Sequence, residues 1–151
     1  MKLAEALMKR ADHQVKVEQL KKRIINNVKI QEGEKPSENP KELLKELDDT
    51  LQNLCEVIVK INKTNSSTMF DESRTIADVL AERDRIWAKR SALDKIIDAS
   101  TIKQDRYSKS EIKFTRTLDI SLIQKDIDML SKEFRELDTK IQEKNWTTEL
   151  I

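Results

Sequence analysis

Glycine and histidine each occur once in these 151 residues, as does cysteine; proline occurs twice, and aromatic residues make up 4%. Each scarcity closes a route. With Gly33 alone, neither a GxGxxG nor a GxxxxGK[ST] loop can be written, which excludes dinucleotide and nucleotide binding through those motifs. A lone Cys55 can form no intrachain disulfide. Together with His13 it supplies too few ligands for a zinc finger. No Glu is followed three residues later by a His, so the di-iron pattern of helical bundles is missing. No nucleophile elbow or reactive Cys-His motif accompanies His13, whose plain reading is a hydrogen-bonded histidine in a polar layer. The expectation is no cofactor and no bound metal. No apolar run approaches the ~20 residues that cross a bilayer. The opening MKLAEALMKRADHQ lacks the continuous apolar core of a signal peptide, so the chain is expected to be cytoplasmic. A formal charge of +1 leaves no global field to select nucleic acid or an acidic partner.

Charged residues make up 38% of the chain and apolar residues 37%, the balance of long amphipathic helices with wide solvated faces. The spacing predicts four of them. Leu3, Ala6, Leu7, Val17, Leu20, Ile24 and Val28 form a helical stripe from Lys2 to Val28, interrupted by Arg10, His13 and Gln14. After NNVKIQEGEKPSENP, the clear linker, Asn39 caps and Pro40 opens a helix that runs to Lys63. Its stripe is Leu43, Leu44, Leu47, Leu51, Leu54, Ile58 and Ile61, with Cys55 read as a small buried hydrophobe. NKTNSSTMFDES then connects to a third helix, whose Thr75 and Asp78 form a capping box. Its apolar set is Ile76, Val79, Leu80, Ile86, Trp87, Leu93, Ile96 and Ile97, with Arg83 and Arg90 on or beside the seam. Asp119 caps the fourth helix, which reaches Lys144 on Ile123, Ile127, Leu130, Phe134, Leu137 and Ile141.

Between the last two helices the period changes. Ile112 and Phe114 alternate with Lys113 and Thr115, which predicts a β-hairpin over 101–117 with strands Thr101–Tyr107 and Ile112–Thr117. The fold class is therefore mainly α: an antiparallel four-helix bundle or long coiled-coil-like arrangement, one domain over 1–151, with a hairpin inserted between helices three and four. Charge is uneven. Residues 1–30 carry eight Lys/Arg against three acids and 119–151 five against eight, so the basic parts either steer an anionic partner or pair with the acidic fourth segment. Neither basic stretch builds a known nucleic-acid signature, and nucleic-acid binding is disfavoured.

MKLAEAL…RAD, NNVKIQEGE…P, INKTN, TIADVLAERD, DRYSKSEIKFTRT and KIQEKNWTTEL, in that order, resemble the septicolysin-like family of small bacterial proteins. The resemblance implies a cytoplasmic protein without assigned catalytic residues, and its name implies a cytolytic, membrane-active alternative.

The expectation for function is a non-enzymatic helical protein that self-associates as a scaffold or interaction module, with a second copy of itself as partner. Tyr107, Ile112, Phe114 and Trp146 are the candidate interface, because they are apolar residues on elements too short or too terminal to form their own core. Arg10, His13, Arg83 and Arg90 are the candidate polar network that sets helix register.

Overall fold

A computed structural model describes residues 1–101 and 112–151. They form four helices, α1 (Leu3–Asn27), α2 (Pro40–Ser67), α3 (Ile76–Ala99) and α4 (Ile120–Thr147). The mainly helical, four-helix expectation stands. Among the described residues there is no strand, only two isolated bridges, Lys2 with Glu149 and Met69 with Thr75. The expected hairpin is corrected accordingly: its second strand, 112–117, is irregular and exposed, while most of its first strand and Tyr107 lie outside the described residues. Two alternating apolar residues are too little pattern to hold a strand, because an isolated hairpin needs a face to cover.

The chain divides into two compact units, residues 1–77 with 142–151, and residues 78–141. In the first, α1 and α2 run antiparallel. Lys16 Nζ meets Glu46 at 2.9 Å, and nearer the connection Arg23 Nε donates to both oxygens of Glu38 at 3.0 and 3.1 Å. The turn between them is closed by Glu34 N–H donating to the Gln31 carbonyl at 3.0 Å, with Gly33 at φ 86°, where a side chain would be strained. Asn39 accepts from Lys41 N–H at 3.0 Å and Pro40 occupies the first helical position, as its ring requires.

Both helices keep a heptad spacing. On α1 the inward positions are Leu3, Ala6, Arg10, His13, Val17, Leu20, Ile24 and Asn27, all buried or half-buried. On α2 they are Leu43, Leu47, Thr50, Leu54, Val57, Ile61 and Thr64. Asn27 takes the place expected of Val28. Its amide donates to Arg23 O at 2.8 Å and its oxygen accepts Glu38 N–H at 3.0 Å, so it can be buried without an unmet polar atom. Thr50 takes the place expected of Leu51 and Thr64 extends the seam beyond Ile61, and each hydroxyl donates to the carbonyl four residues back. Leu44, Leu51 and Cys55 face outward instead, so the buried-cysteine reading is also corrected.

Helix α2 continues past Lys63 through a segment that reads as a polar connection. Ser66 and Ser67, like Thr64, bond the i−4 carbonyl, which lets polar residues extend the helix to Ser67. The loop that follows is built on Asp71, whose carboxylate accepts from the Ser73 and Arg74 amides and from the Arg74 guanidinium. These bonds hold its pKa down to about 2, the Arg74 side-chain bond contributing most. The last residues fold back within the same unit. Leu3 N–H donates to Thr148 O and Leu150 N–H to Met1 O, both at 2.9 Å. Ile151 N–H reaches the Thr64 hydroxyl at 3.0 Å.

In the second unit α3 and α4 run antiparallel. Asp119 caps α4, accepting from Ser121 N–H at 3.0 Å and Leu122 N–H at 3.3 Å. The α4 seam Ile123, Ile127, Leu130, Phe134, Leu137 and Ile141 is as expected, and none of its members is exposed.

Candidate functional site

The α3 seam is a strict heptad of Ile76, Val79, Arg83, Ile86, Arg90, Leu93 and Ile97, continued by Ser100 just past the end of the helix. Arg83 and Arg90 hold inward positions one heptad apart, and α4 supplies a partner to each at the same interval. Arg83 Nη1 meets Asp138 at 3.0 Å, and Arg90 Nε donates to the Ser131 hydroxyl at 2.7 Å. Arg90 also binds Asp94 at 3.0 Å, and its Cζ lies 5.1 Å from the Trp87 ring centroid. Between the two polar layers Trp87 and Phe134 meet at 5.0 Å with planes tilted by 48°. The three pairs share one register, since 83 with 138, 87 with 134 and 90 with 131 each sum to 221.

Two members of the candidate polar network are thus brought to one seam, each already satisfied by neighbours. The other two, Arg10 and His13, sit half-buried at inward positions of α1 in the first unit. Arg10 Nε is buried and has no hydrogen-bond partner among the described residues. What the sequence reading missed was the identity of the partners. Asp138 and Ser131 follow α4 seam residues directly and stand one heptad apart, as the arginines do, but which α4 residues face the arginines depends on the pairing of the two helices.

Of the candidate interface residues, Ile112 and Phe114 are 74% and 73% exposed. Phe114 joins Ile96, Ala99, Leu118 and Ile120 around a cleft of about 520 Å3 at the open end of the second unit, where Arg116 Nε donates to Ser100 O at 3.0 Å. Trp146 lies inside α4 rather than beyond it and is 53% exposed, while the tail after it folds back on the first unit. Sequence reasoning did not single out a further exposed apolar set on the second unit: Ala92, Ile96 and Ala99 on α3, and Leu122 and Met129 on α4. A smaller cleft of about 260 Å3 is lined by Arg83, Asp84, Trp87, Ala88 and Phe134.

No group of three or more metal-ligating side chains gathers among the described residues. No described helix is long and apolar enough to cross a membrane.

No curated protein matches the chain. It is similar to a functionally unknown conserved protein from Corynebacterium diphtheriae of known crystal structure, with 43% identity over 100% of this chain and 99% of that one, and a TM-score of 0.92. The family model that matches residues 10–150 is likewise one of unknown function. These findings overturn the septicolysin-like resemblance, and the cytolytic expectation that rested on its name loses its support. With 10–150 matched, the chain belongs to the family of unknown function DUF6847.

Proposed function

We propose that this protein is a non-enzymatic helical scaffold or interaction module that works by self-association. The observation that carries the proposal is the amount of large apolar surface left uncovered on the second unit, where Ile112, Phe114, Leu118, Leu122 and Met129 are all exposed; on the first, Trp146 is exposed as well. Scattered exposed apolar residues are normal, but a set drawn from one loop and one helix marks an interaction surface. The polar side chains within the α3–α4 seam support a structural reading. Arg83, Arg90 and Ser131 are engaged with one another's helices, which fixes register in the way polar core positions do in coiled coils.

The test is solution mass by light scattering over a range of concentrations, for the full chain and for Ile112→Asp with Phe114→Asp. A defined oligomer in the parent chain is the expected result. A fall to a folded monomer in the variant would put the loop at the contact. A parent chain that is monomeric at every concentration would refute self-association.

A further inference from the structure

We infer that a second copy of the chain docks on the outer face of the α3–α4 pair, about a two-fold axis parallel to the helices, so that α3 of each copy lies across α4 of the other. The inference rests on the self-association proposed above and specifies its surface.

The observed pairs divide the hairpin into two sides. Trp87, Asp94, Ser131 and Asp138 lie on one, where Asp94, Ser131 and Asp138 are half-buried and engaged. The opposite side carries Arg85, Lys89, Ala92, Ile96 and Ala99 from α3, with Leu122, Asp126, Met129, Glu133 and Glu136 from α4, and every one of these is exposed. Arg85 belongs with Glu133 on this side. Its pKa is raised chiefly by its bond to Glu82, and the nearby Glu133 charge adds to the effect. Met129, 69% exposed, is the most uncovered large apolar side chain on either helix.

The register fixes which residues stand at the same height. Matching positions sum to 221 or 222, so Ala92 is level with Met129 and Ala99 with Leu122, and towards the other end Arg85 is level with Glu136 and Lys89 with Glu133. A two-fold axis along the helices sets each α3 residue opposite its level partner on the other copy. Ala92 and Ala99 then meet Met129 and Leu122, and Arg85 and Lys89 meet Glu136 and Glu133, while Ile96 stands level with Asp126. A two-fold axis perpendicular to the helices would instead face α3 with α3 and α4 with α4 and reverse their heights: centred on Ala92 and Met129 it sets small against small and the charged end of each copy against the apolar end of the other, and centred on the charged end it sets like charge against like. The face therefore complements itself in one arrangement, which is the requirement for an isologous contact. From 82 to 99 it is about 27 Å long at 1.5 Å per residue. Two helices about 10 Å apart make it about 20 Å wide, so a dimer buries roughly 1,000 Å² in total. That is the lower bound for a specific interface, so the dimer dissociates on dilution.

Sedimentation equilibrium of the full chain, with circular dichroism as the folding control, tests the face. Met129→Glu and Leu122→Glu are expected to raise the dimer dissociation constant about tenfold or more while leaving helicity unchanged. An independent readout uses disulfide trapping in a Cys55→Ser background. Chains carrying only Ala92→Cys are mixed with chains carrying only Met129→Cys, and the mixed disulfide is expected to form faster than either homodimer. An oligomer undisturbed by both glutamates, or one trapped through Ala92→Cys homodimers, would overturn this face and leave self-association standing. A monomer at all concentrations would overturn both.

Discussion

Replacing Thr64 by valine removes one hydroxyl, and the two hydrogen bonds it makes, from a fully buried site. The side chain has 0% relative exposure, donates to Lys60 O at 2.9 Å and accepts Ile151 N–H at 3.0 Å. Valine keeps the volume and removes both bonds. The Lys60 carbonyl lies within the helical ladder and loses only a second donor. Ile151 is largely exposed, so its amide can return to water. The loss is therefore an ordinary net hydrogen bond, about 1 kcal/mol, rather than the larger penalty of a stranded buried group. Thr64→Ser keeps both bonds and loses a buried methyl, also costing about 1 kcal/mol. Stability by urea denaturation thus cannot separate these two variants, but amide hydrogen exchange can. Ile151 should lose protection in Thr64→Val and keep it in Thr64→Ser. Equal protection in both would refute the assignment of Thr64 as the group that holds the tail.

Ile86, buried on the α3 seam, should cost about 2–5 kcal/mol as Ile86→Ala, read as a lower urea midpoint. Asp138→Ala leaves the half-buried Arg83 with its longer contact to Asp84 at 3.5 Å and should cost about 1 kcal/mol. Arg83→Met with Asp138→Leu should recover that loss or exceed the parent stability, because an apolar pair needs no desolvation of charge. Acid should weaken the first unit. Glu38, Glu46 and Glu149 have pKa values lowered mainly by bonds to Arg23, Lys16 and Lys2 respectively. Their contributions are fully present above the ordinary glutamate value of 4.5 and are lost as pH falls below it through the lowered values. Asp71 should protonate near pH 2. A carboxyl NMR titration that found Asp71 at its ordinary 3.8 would contradict the loop geometry. Glu149 is exposed and the other three carboxylates are partly so, so raising the salt concentration should shrink the effect.

The helices and their caps were legible because their signals are local. Asn39 before Pro40 and Asp119 before α4 each need only a few residues, and both appear as expected. The α4 seam was legible because nearly all its inward residues are apolar. On α3 hydropathy and geometry part company: arginines occupy inward positions while Trp87 and Ile96 turn outward. An arginine stem can line a seam if its head finds Asp138 or Ser131, and that depends on another helix. Thr64 and Asn27 were hidden for the same reason, since their burial depends on partners that no local window contains. The expected hairpin failed from the opposite cause, two alternating residues being given more weight than they carry. Of the candidate site, the exposure of Ile112, Phe114 and Trp146 could be anticipated from their positions. The outer face of α3 and α4 could not, because it exists only once the pairing register is fixed.

The contact between the first three residues and 148–151 constrains the order in which the chain can fold. Helix turns and the α1–α2 connection involve near neighbours and can form on fast, local timescales. The Arg83–Asp138 pair closes a span of 55 residues, whereas Lys2 meets Thr147 across 145. Loop-closure entropy makes the longer span about 0.9 kcal/mol more costly, before any gain from the contact itself. The strand-like clasp therefore forms late, after the hairpins have shortened the effective path between its two sides. It opens early on unfolding, so mutations there should change the unfolding rate and leave the folding rate nearly untouched.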